Sequence, residues 1–383
     1  MSWMLNEEQR LIQTTARDFA TGVLAPQAAA LDATGDPEIL KSHLRQLAEL
    51  GFMGLNIDEA YGGADVGTVS FSLAITELAR ACASTAVTVS VSNMVAEVIQ
   101  AIGTEEQKSR YLPQLCAGEM YGGSFCLSEV GAGSDPAAMK TRAVKEGEDW
   151  VLNGSKVWIS TAAIAGVFVV WAVTDPEAPK GKGISCFLVP ANTPGVTVQA
   201  AEKKMGQKGS GTHEVLFTDC RLPADALMGA ENQGFKIAVT ELAGGRIGIA
   251  SLALGVAGAA LDYARDYIQE RQQFGRPLAD FQGLQWMLAE QYTEMEAARL
   301  LTLQAAMLKE AGQPFATQAS MAKLMASEKG NQACYVALQL MGANGYMQDY
   351  PLERYARDIR VTSIYEGTSE IQKVIIARDL LQG

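Results

Sequence analysis

The apolar period of this 383-residue chain switches twice, and those switches constrain the fold more than any single motif. Up to Gly118 apolar residues recur at three- and four-residue spacing, the signature of helices with one buried stripe. From Tyr121 to Pro223 the apolar runs are short, β-branched and separated by turn residues, the pattern of strands. From Asn232 the helical spacing returns. The length exceeds one ordinary core. Three segments follow: a helical domain over 1–118, a β domain over 119–229 and a helical bundle over 230–383.

Local signals fill in these segments. Asn6, with Gln9 three positions on, reads as a helix cap ahead of a stripe of Ile12, Ala16, Phe19 and Val23. Residues 58–65 form a turn around Tyr61-Gly62-Gly63. The apolar, small-residue stretch 69–102 suits a buried helix pair. Thr104 with Gln107 is a second capping box, with Pro113 inside its helix. Asn153-Gly154 between two strand-like runs predicts a tight hairpin. Further strands are expected over 166–174, 183–189, 195–200 and 212–218, with no helices between them, which favours an antiparallel barrel or sandwich. Residues 235–242 lead into 246–271, a helix so rich in Ala, Gly and Leu that it must be packed on most sides. Gly275-Arg276-Pro277 ends it. Helices over 281–311, 317–341 and 369–381 complete an antiparallel bundle. The fold class expected is mostly α with a central β-barrel and a C-terminal four-helix bundle.

Composition narrows the function. The formal net charge is −12, which disfavours a nucleic-acid partner; a polyanionic ligand would need a local basic patch. No uninterrupted run reaches eighteen apolar residues, so no membrane span is expected. The start, Met1 to Glu8, shows neither a secretory nor a transit pattern. The six cysteines are scattered without a Cys-x-x-Cys pair and read as small buried residues of a reducing compartment. His43 and His213 are isolated, so neither a zinc site nor a Ser-His-Asp triad is supported, and no metal is expected. Gly131-Ala132-Gly133-Ser134-Asp135 lacks the third glycine and the following helix of a dinucleotide fold. The run 206–212 lacks the Gly-Lys-Ser/Thr end of a P-loop. Both read as turns, although a Gly-rich turn also lets a flat ligand approach the backbone.

Five motifs carry the reading further. They are Phe125-Cys126-Leu127-Ser128-Glu129-x-Gly131-Ala132-Gly133-Ser134-Asp135, Leu152-Asn153-Gly154-Ser155-Lys156-Val157-Trp158-Ile159-Ser160, and Gly245-Arg246-Ile247-x-Ile249-Ala250 followed by Arg271-x-x-Phe274-Gly275-x-Pro277-Leu278. Then come Gln339-Leu340-Met341-Gly342-Ala343-Asn344-Gly345-Tyr346, and Arg357-Asp358-x-Arg360 leading to Ile364-Tyr365-Glu366-Gly367-Thr368-Ser369-Glu370-Ile371-Gln372. In order and over essentially the whole chain, they resemble the acyl-CoA dehydrogenase family, in its short- and branched-chain type with a Tyr-Glu-Gly-Thr base. The family architecture matches the three segments read above.

The resemblance implies FAD, bound noncovalently. Leu127 and Ser128 would lie near the isoalloxazine, Trp158 would flank the ring, and Ser160, where the family often has Thr, would bond near N5. Phe125, Ser134, Ile159 and Gln282 belong to the implied cofactor set. Arg271 would pair with the pyrophosphate, where a planar cation suits phosphate oxygens. Phe274, Gln339, Leu340, Gly342 and Ala343 would reach the adenine half, partly across a subunit interface. Thr368, Ser369 and Glu370 would complete the pocket. A shared site implies a homo-oligomer, in the family a tetramer built as a dimer of dimers. Ser134, Ala243, Arg246, Tyr365 and Gly367 would contact substrate.

Glu366 is the implied catalytic base. Oxidising a thioester at Cα–Cβ needs an α-proton removed and a β-hydride accepted, and the base must be desolvated enough to raise its pKa. Without the family, a Glu ahead of a helix is usually a solvated acid. A Ser369/Gln372 capping box would set Glu366 in the turn before the last helix. Some relatives carry the base at the position of Gly245, where glycine cannot act. Many short-chain members have Asp where this chain has Ala243. For Arg246 the bland reading is an ion pair at a helix start; for Val91, Met94, Val95 and Val98, guessed to line the acyl pocket, it is ordinary core.

The implied reaction is FAD-dependent α,β-dehydrogenation of a short- to medium-chain acyl-CoA, straight or branched, to the trans-2-enoyl-CoA, with electron-transferring flavoprotein as acceptor. The setting expected is cytoplasmic in a bacterium or the mitochondrial matrix in a eukaryote. A flavin monooxygenase or oxidase on the same fold is the alternative, disfavoured by Glu366. A non-catalytic binding protein is disfavoured by the joint presence of Ser128, Trp158, Arg271 and Glu366.

Overall fold

Asn6 begins the first helix through a reciprocal box: its side chain accepts from Gln9 N at 2.8 Å, while Gln9 Oε1 accepts from Asn6 N at 3.1 Å. In the computed structural model, which describes residues 5–382, this helix, α1, spans Glu7–Phe19. Residues 1–4, part of the start read for targeting signals, lie outside the described residues. A π turn leads into α2 (Ala25–Thr34), which Gly35 ends in the left-handed region. Next come α3 (Pro37–Glu49), α4 (Gly67–Ala81), α5 (Ala83–Ile102) and α6 (Glu105–Cys116). The expected buried pair is α4 and α5, and the Thr104–Gln107 box opens α6 with Pro113 inside it.

The β segment contains β1 (Gly123–Cys126), β2 (Arg142–Glu146), β3 (Asp149–Ser160), β4 (Val167–Val173), β5 (Ile184–Pro190), β6 (Val196–Val198), β7 (Thr212–Leu222) and β8 (Leu227–Met228). The sheet runs β6-β7-β3-β2-β4-β5-β8, with β1 beside β4. Among the described residues no ladder joins β6 to β8, so the path has two ends. Nor is it wholly antiparallel: β1 and β2 share one edge of β4 at opposite ends, both parallel to it. The reason is connectivity. The chain reaches β1 from α6 and leaves it through the long 127–141 loop, not through a hairpin.

The Asn153-Gly154 hairpin does not form. β3 runs straight through it, and the reversal lies at Gly147-Glu148, next to the Glu146–Asp149 pair. Gly154 instead occupies a register shift against β7, where a Cβ would stand 2.5 Å from Thr141 Oγ1. Asn153 turns to Asp219, accepting from its N–H at 2.8 Å.

Beyond the sheet, α7 (Gly234–Glu270) is one unbroken helix where the sequence suggested two stretches. The β9–β10 hairpin (Gln272–Gln273, Arg276–Pro277) follows, then α8 (Gln282–Glu310), α9 (Ala316–Met341), α10 (Ala343–Tyr346), α11 (Leu352–Arg360) and α12 (Ser369–Gln382). α9 packs on α7, α8 and α12, while α4 and α5 pack on α7, so the first and last segments share one apolar core. Small residues allow the approach: a Cβ on Gly255 would stand 2.2 Å from Thr76 O. The Ser72 and Ser251 hydroxyls bond there at 2.7 Å. Trp171, buried in β4, donates Nε1–H to Gly234 O at 2.8 Å and ties the sheet to the start of α7.

Two helices, α5 and α7, are long and apolar enough to cross a membrane, although neither contains eighteen uninterrupted apolar residues. Their apolar windows are 78% and 83% buried against the protein itself. All six cysteines are buried and unpaired.

The close α4–α7 crossing makes a contrast that thermal melts can check. Gly255→Ala, aimed at the Thr76 carbonyl, should destabilise by ~1–3 kcal/mol. Gly22→Ala, which meets nothing within 4 Å, should be neutral or stabilising by up to ~1 kcal/mol.

Candidate active site

One wall of the site is built by a bulge. Between Lys156 and Ile159 the β3–β7 register slips, and Trp158 adopts φ 59°. The left-handed turn throws its indole outward, 58% exposed, while Ile159 stays in the core. The 127–129 loop is fastened to the bulge. Val157 N donates to Ser128 O at 2.9 Å, and the fully buried Lys156 Nζ donates to Leu127 O at 3.0 Å and to Glu129 Oε1 at 2.8 Å. Glu129 also accepts from Lys140 N and Thr141 N. Burial pushes the Glu129 carboxyl up, but Lys156 and these hydrogen bonds outweigh it and hold it below the usual range.

Several predicted cofactor residues are thus brought together. Leu127 is buried and Ser128 half-buried beside Trp158. Phe125 packs its ring on Trp171, with centroids 4.2 Å apart. Ser160 O accepts from Ser124 Oγ at 2.8 Å. Ser134 is exposed on the 131–135 turn, beside Asp135, which is paired with Lys180. Next to that turn lies a cleft of about 550 Å³ whose lining includes Lys140, Arg142 and Lys180. Asp175 lines it too, so these cations are partly offset there.

The other wall carries Glu366, held at φ 51° just before Gly367 at φ 91°. Its Oε2 is sealed from solvent with no hydrogen-bond partner. Burial pushes the carboxyl up to about 7, opposed by Lys323 and Arg246. Gly245 makes room for it: a Cβ there would stand 2.1 Å from Glu366 Oε2 and 2.7 Å from Met94 Sδ. The glycine that removes one candidate base therefore creates the space for the other. Tyr365 accepts from Gln207 Nε2 at 3.2 Å, and Gln207 also bonds Asp358 O at 3.0 Å. Since β7 continues from this 206–211 loop beside β3, Gln207 links the two walls.

Some expectations change. The Ser369/Gln372 box is absent: Thr368 Oγ1 accepts from Ile371 N, and Ser369 Oγ donates to Glu328. The Gln372 amide is used differently, bonding Gly367 O at 2.9 Å and Glu366 O at 3.2 Å, which braces the base segment from behind. Arg246 is no helix-start ion pair. It lies inside α7, 5% exposed, with Nε unpartnered and Nη1 3.4 Å from Ser320 Oγ. The guessed pocket residues Val91, Met94, Val95 and Val98 are all buried core, and Met94 also borders Gly245. Ala243 is buried in α7 two residues before Gly245, and Glu370 is exposed.

A third group stands apart. Arg271, Phe274 (93% exposed), Gln282, Gln339, Gly342 and Ala343 lie on the surface, with Leu340 buried beneath. α7 is continuous from Gly245 to Glu270, which puts Arg271 ~39 Å along its axis from the base.

Sequence reading missed Lys323 and Gln207, and gave Gln372 a capping role in place of the bracing one. Lys323 is fully buried and donates to Gly367 O at 2.8 Å; burial lowers it to about 8. Its signal was available: Ser320, Lys323, Ser327 and Asn331 repeat at helical spacing, among the small apolar residues Ala319, Ala322, Ala326 and Gly330. Gln207 carried none, because its partners Asp358 and Tyr365 are remote in the chain; Gln372 bonds backbone only five and six residues back, but through its side chain rather than through a helix cap.

The residues present fit a flavin: an indole turned outward by a bulge, a braced loop beside it and an orphaned carboxylate oxygen. Three family descriptions match in order, the acyl-CoA dehydrogenase N-terminal domain over 6–119, the middle domain over 124–220 and the C-terminal domain over 232–381. The acryloyl-CoA reductase (NADH) of Anaerotignum propionicum is 43% identical, over 100% of this chain and 96% of its own. The mitochondrial short-chain specific acyl-CoA dehydrogenase of Rattus norvegicus is 44% identical, over 99% and 91%. The butyryl-CoA dehydrogenase structure from Megasphaera elsdenii superposes with a TM-score of 0.95 at 38% identity, covering 98% of this chain and 99% of that one. With every segment matched, the chain belongs to the acyl-CoA dehydrogenase family, with its helical first and last domains around a middle sheet domain.

Proposed function

We propose that this protein oxidises a short- to medium-chain acyl-CoA, straight or branched, to the trans-2-enoyl-CoA, with Glu366 as the base. The observation that carries the reading is the sealed, unpartnered Oε2 of Glu366 facing the space left by Gly245. An unpaired buried oxygen is costly unless something else is to bond there. A proton taken from a substrate α-carbon is such a partner. Burial raises the carboxyl to about 7, near enough to neutrality to accept that proton and later release it. The Trp158 face and the braced 127–129 loop would hold FAD, which supplies the acceptor for the β-hydride. The cleft near Lys140, Arg142 and Lys180 offers cations for the phosphates of a CoA thioester.

The finer assignments rest on the same resemblance. The domain bounds 1–118, 119–229 and 230–383 follow the changes of element class, with the sheet read as a barrel wall and α7, α8, α9 and α12 as a four-helix bundle. A homotetramer, as a dimer of dimers, is supported by the surface group around Arg271 and Phe274. One ligand beside Glu366 leaves these residues a helix length away, so they would serve a neighbouring subunit's site. Electron-transferring flavoprotein would accept the electrons. The setting would be cytoplasmic in a bacterium or the mitochondrial matrix in a eukaryote.

Anaerobic titration with a panel of straight and branched acyl-CoAs should bleach the flavin, and the member that bleaches it most readily identifies the substrate; no bleaching by any member would overturn the reading. Glu366→Gln should keep flavin and ligand binding while slowing reduction by ~10²–10⁴-fold. The reduction rate should rise with pH through about 7, because the base acts only when ionised. Gly245→Ala should leave flavin content intact and slow reduction at least ~tenfold, since its methyl occupies the space of Glu366 Oε2.

A further inference from the structure

We infer that Lys323 is a positioning residue for the base, anchoring the Gly367 carbonyl while presenting a buried positive charge to the Glu366 carboxylate. The inference rests on the reading of Glu366 as base. Ser320, Lys323, Ser327 and Asn331 fall at i, i+3, i+7 and i+11 of α9, on one face, and the first three are fully buried. That face meets α7 and the segment that delivers Glu366. Arg246 Nη1 reaches Ser320 Oγ, Lys323 Nζ donates to Gly367 O at 2.8 Å, and Ser327 Oγ donates to Thr362 O at 3.0 Å. Asn331 Nδ2 adds Ile359 O at 3.4 Å and Ser363 Oγ at 3.3 Å. A buried polar stripe on α9 therefore holds residues 359–367 along their length.

Within the stripe Lys323 is the one charge. An ammonium wholly removed from water needs strong compensation. Its hydrogen bond is to a neutral carbonyl, and it makes no ion pair among the described residues. The charges around it are Glu366, Glu328 and Glu370, with Arg246 opposing. Facing Glu366 are Lys323 from α9, Arg246 from α7, the adjacent Tyr365 and the uncharged Met94 thioether from α5. The two buried cations keep a sealed carboxyl ionisable. Gln372 Nε2 also bonds Gly367 O, so the loop keeps one anchor without Lys323, and charge can be separated from fold.

The test uses the yellow holoprotein and three variants. Lys323→Gln keeps a donor but loses the charge, Lys323→Met loses both, and Lys323→Arg keeps the charge. The first readout is a difference infrared titration of the Glu366 carboxyl band against Glu366→Gln. The second is the pH profile of flavin reduction. Removing the cation disfavours the ionised carboxylate, so both neutral variants should titrate about one unit higher. Reduction should fall ~tenfold below the acid limb and stay within ~threefold of wild type above it, while Lys323→Arg should titrate as wild type does. An unshifted titration in folded Lys323→Gln overturns the inference. So does failure of both neutral variants to fold, which would make Lys323 a core residue. If no acyl-CoA bleaches the wild type, the base assignment fails separately, and the infrared titration still reports on Lys323.

Discussion

A carboxylate oxygen shut away from water, with no donor of its own, organises this molecule. Leaving Glu366 Oε2 unpartnered costs free energy, and the surroundings contain that cost without satisfying it. Gly245 gives it room, Arg246 and Lys323 supply charge from two helices, and Gln372 holds the backbone behind it. Any direct hydrogen bond to Oε2 would stabilise the resting carboxylate and weaken it as a base. Long-range cations favour ionisation without occupying the lone pair, so the oxygen stays ionisable and open.

The rest of the fold aligns two walls. Helices pack closely because Gly and Ser line the α4–α7 crossing, which fixes the floor on which Gly245 sits. The sheet contributes an outward indole and a loop pinned by the buried Lys156–Glu129 pair. Trp171 fastens the sheet to α7, and Gln207 joins the sheet's loop to the base segment. Breaking the Lys156–Glu129 pair would strand a buried charge, so the loop's position is specified more sharply than apolar packing alone could manage.

Much of this was legible in the residues. The helix starts at Asn6 and Thr104 were readable because a cap and its partner lie three residues apart. The buried character of α5 and α7 was readable because they carry apolar residues on nearly every face. The Asn153-Gly154 turn misled, since a glycine that suits a tight turn equally suits a bulge, and only the neighbouring Thr141 and β7 decide between them. The Ser369 box misled for a similar reason: Thr368, one residue earlier, has the same capping chemistry, and Glu328 takes the Ser369 hydroxyl.

By itself the sequence determined the order of helical and strand segments and the motifs of the family, Glu366 among them, because each depends on residue types close together along the chain. Tertiary structure alone decided what surrounds Glu366. Gly245, Lys323 and Gln207 lie 121, 43 and 159 residues from Glu366 along the chain, and a charge acts through space rather than along the backbone. Whether the Glu366 oxygen is sealed, and which cations face it, are properties of packing that no local spacing encodes.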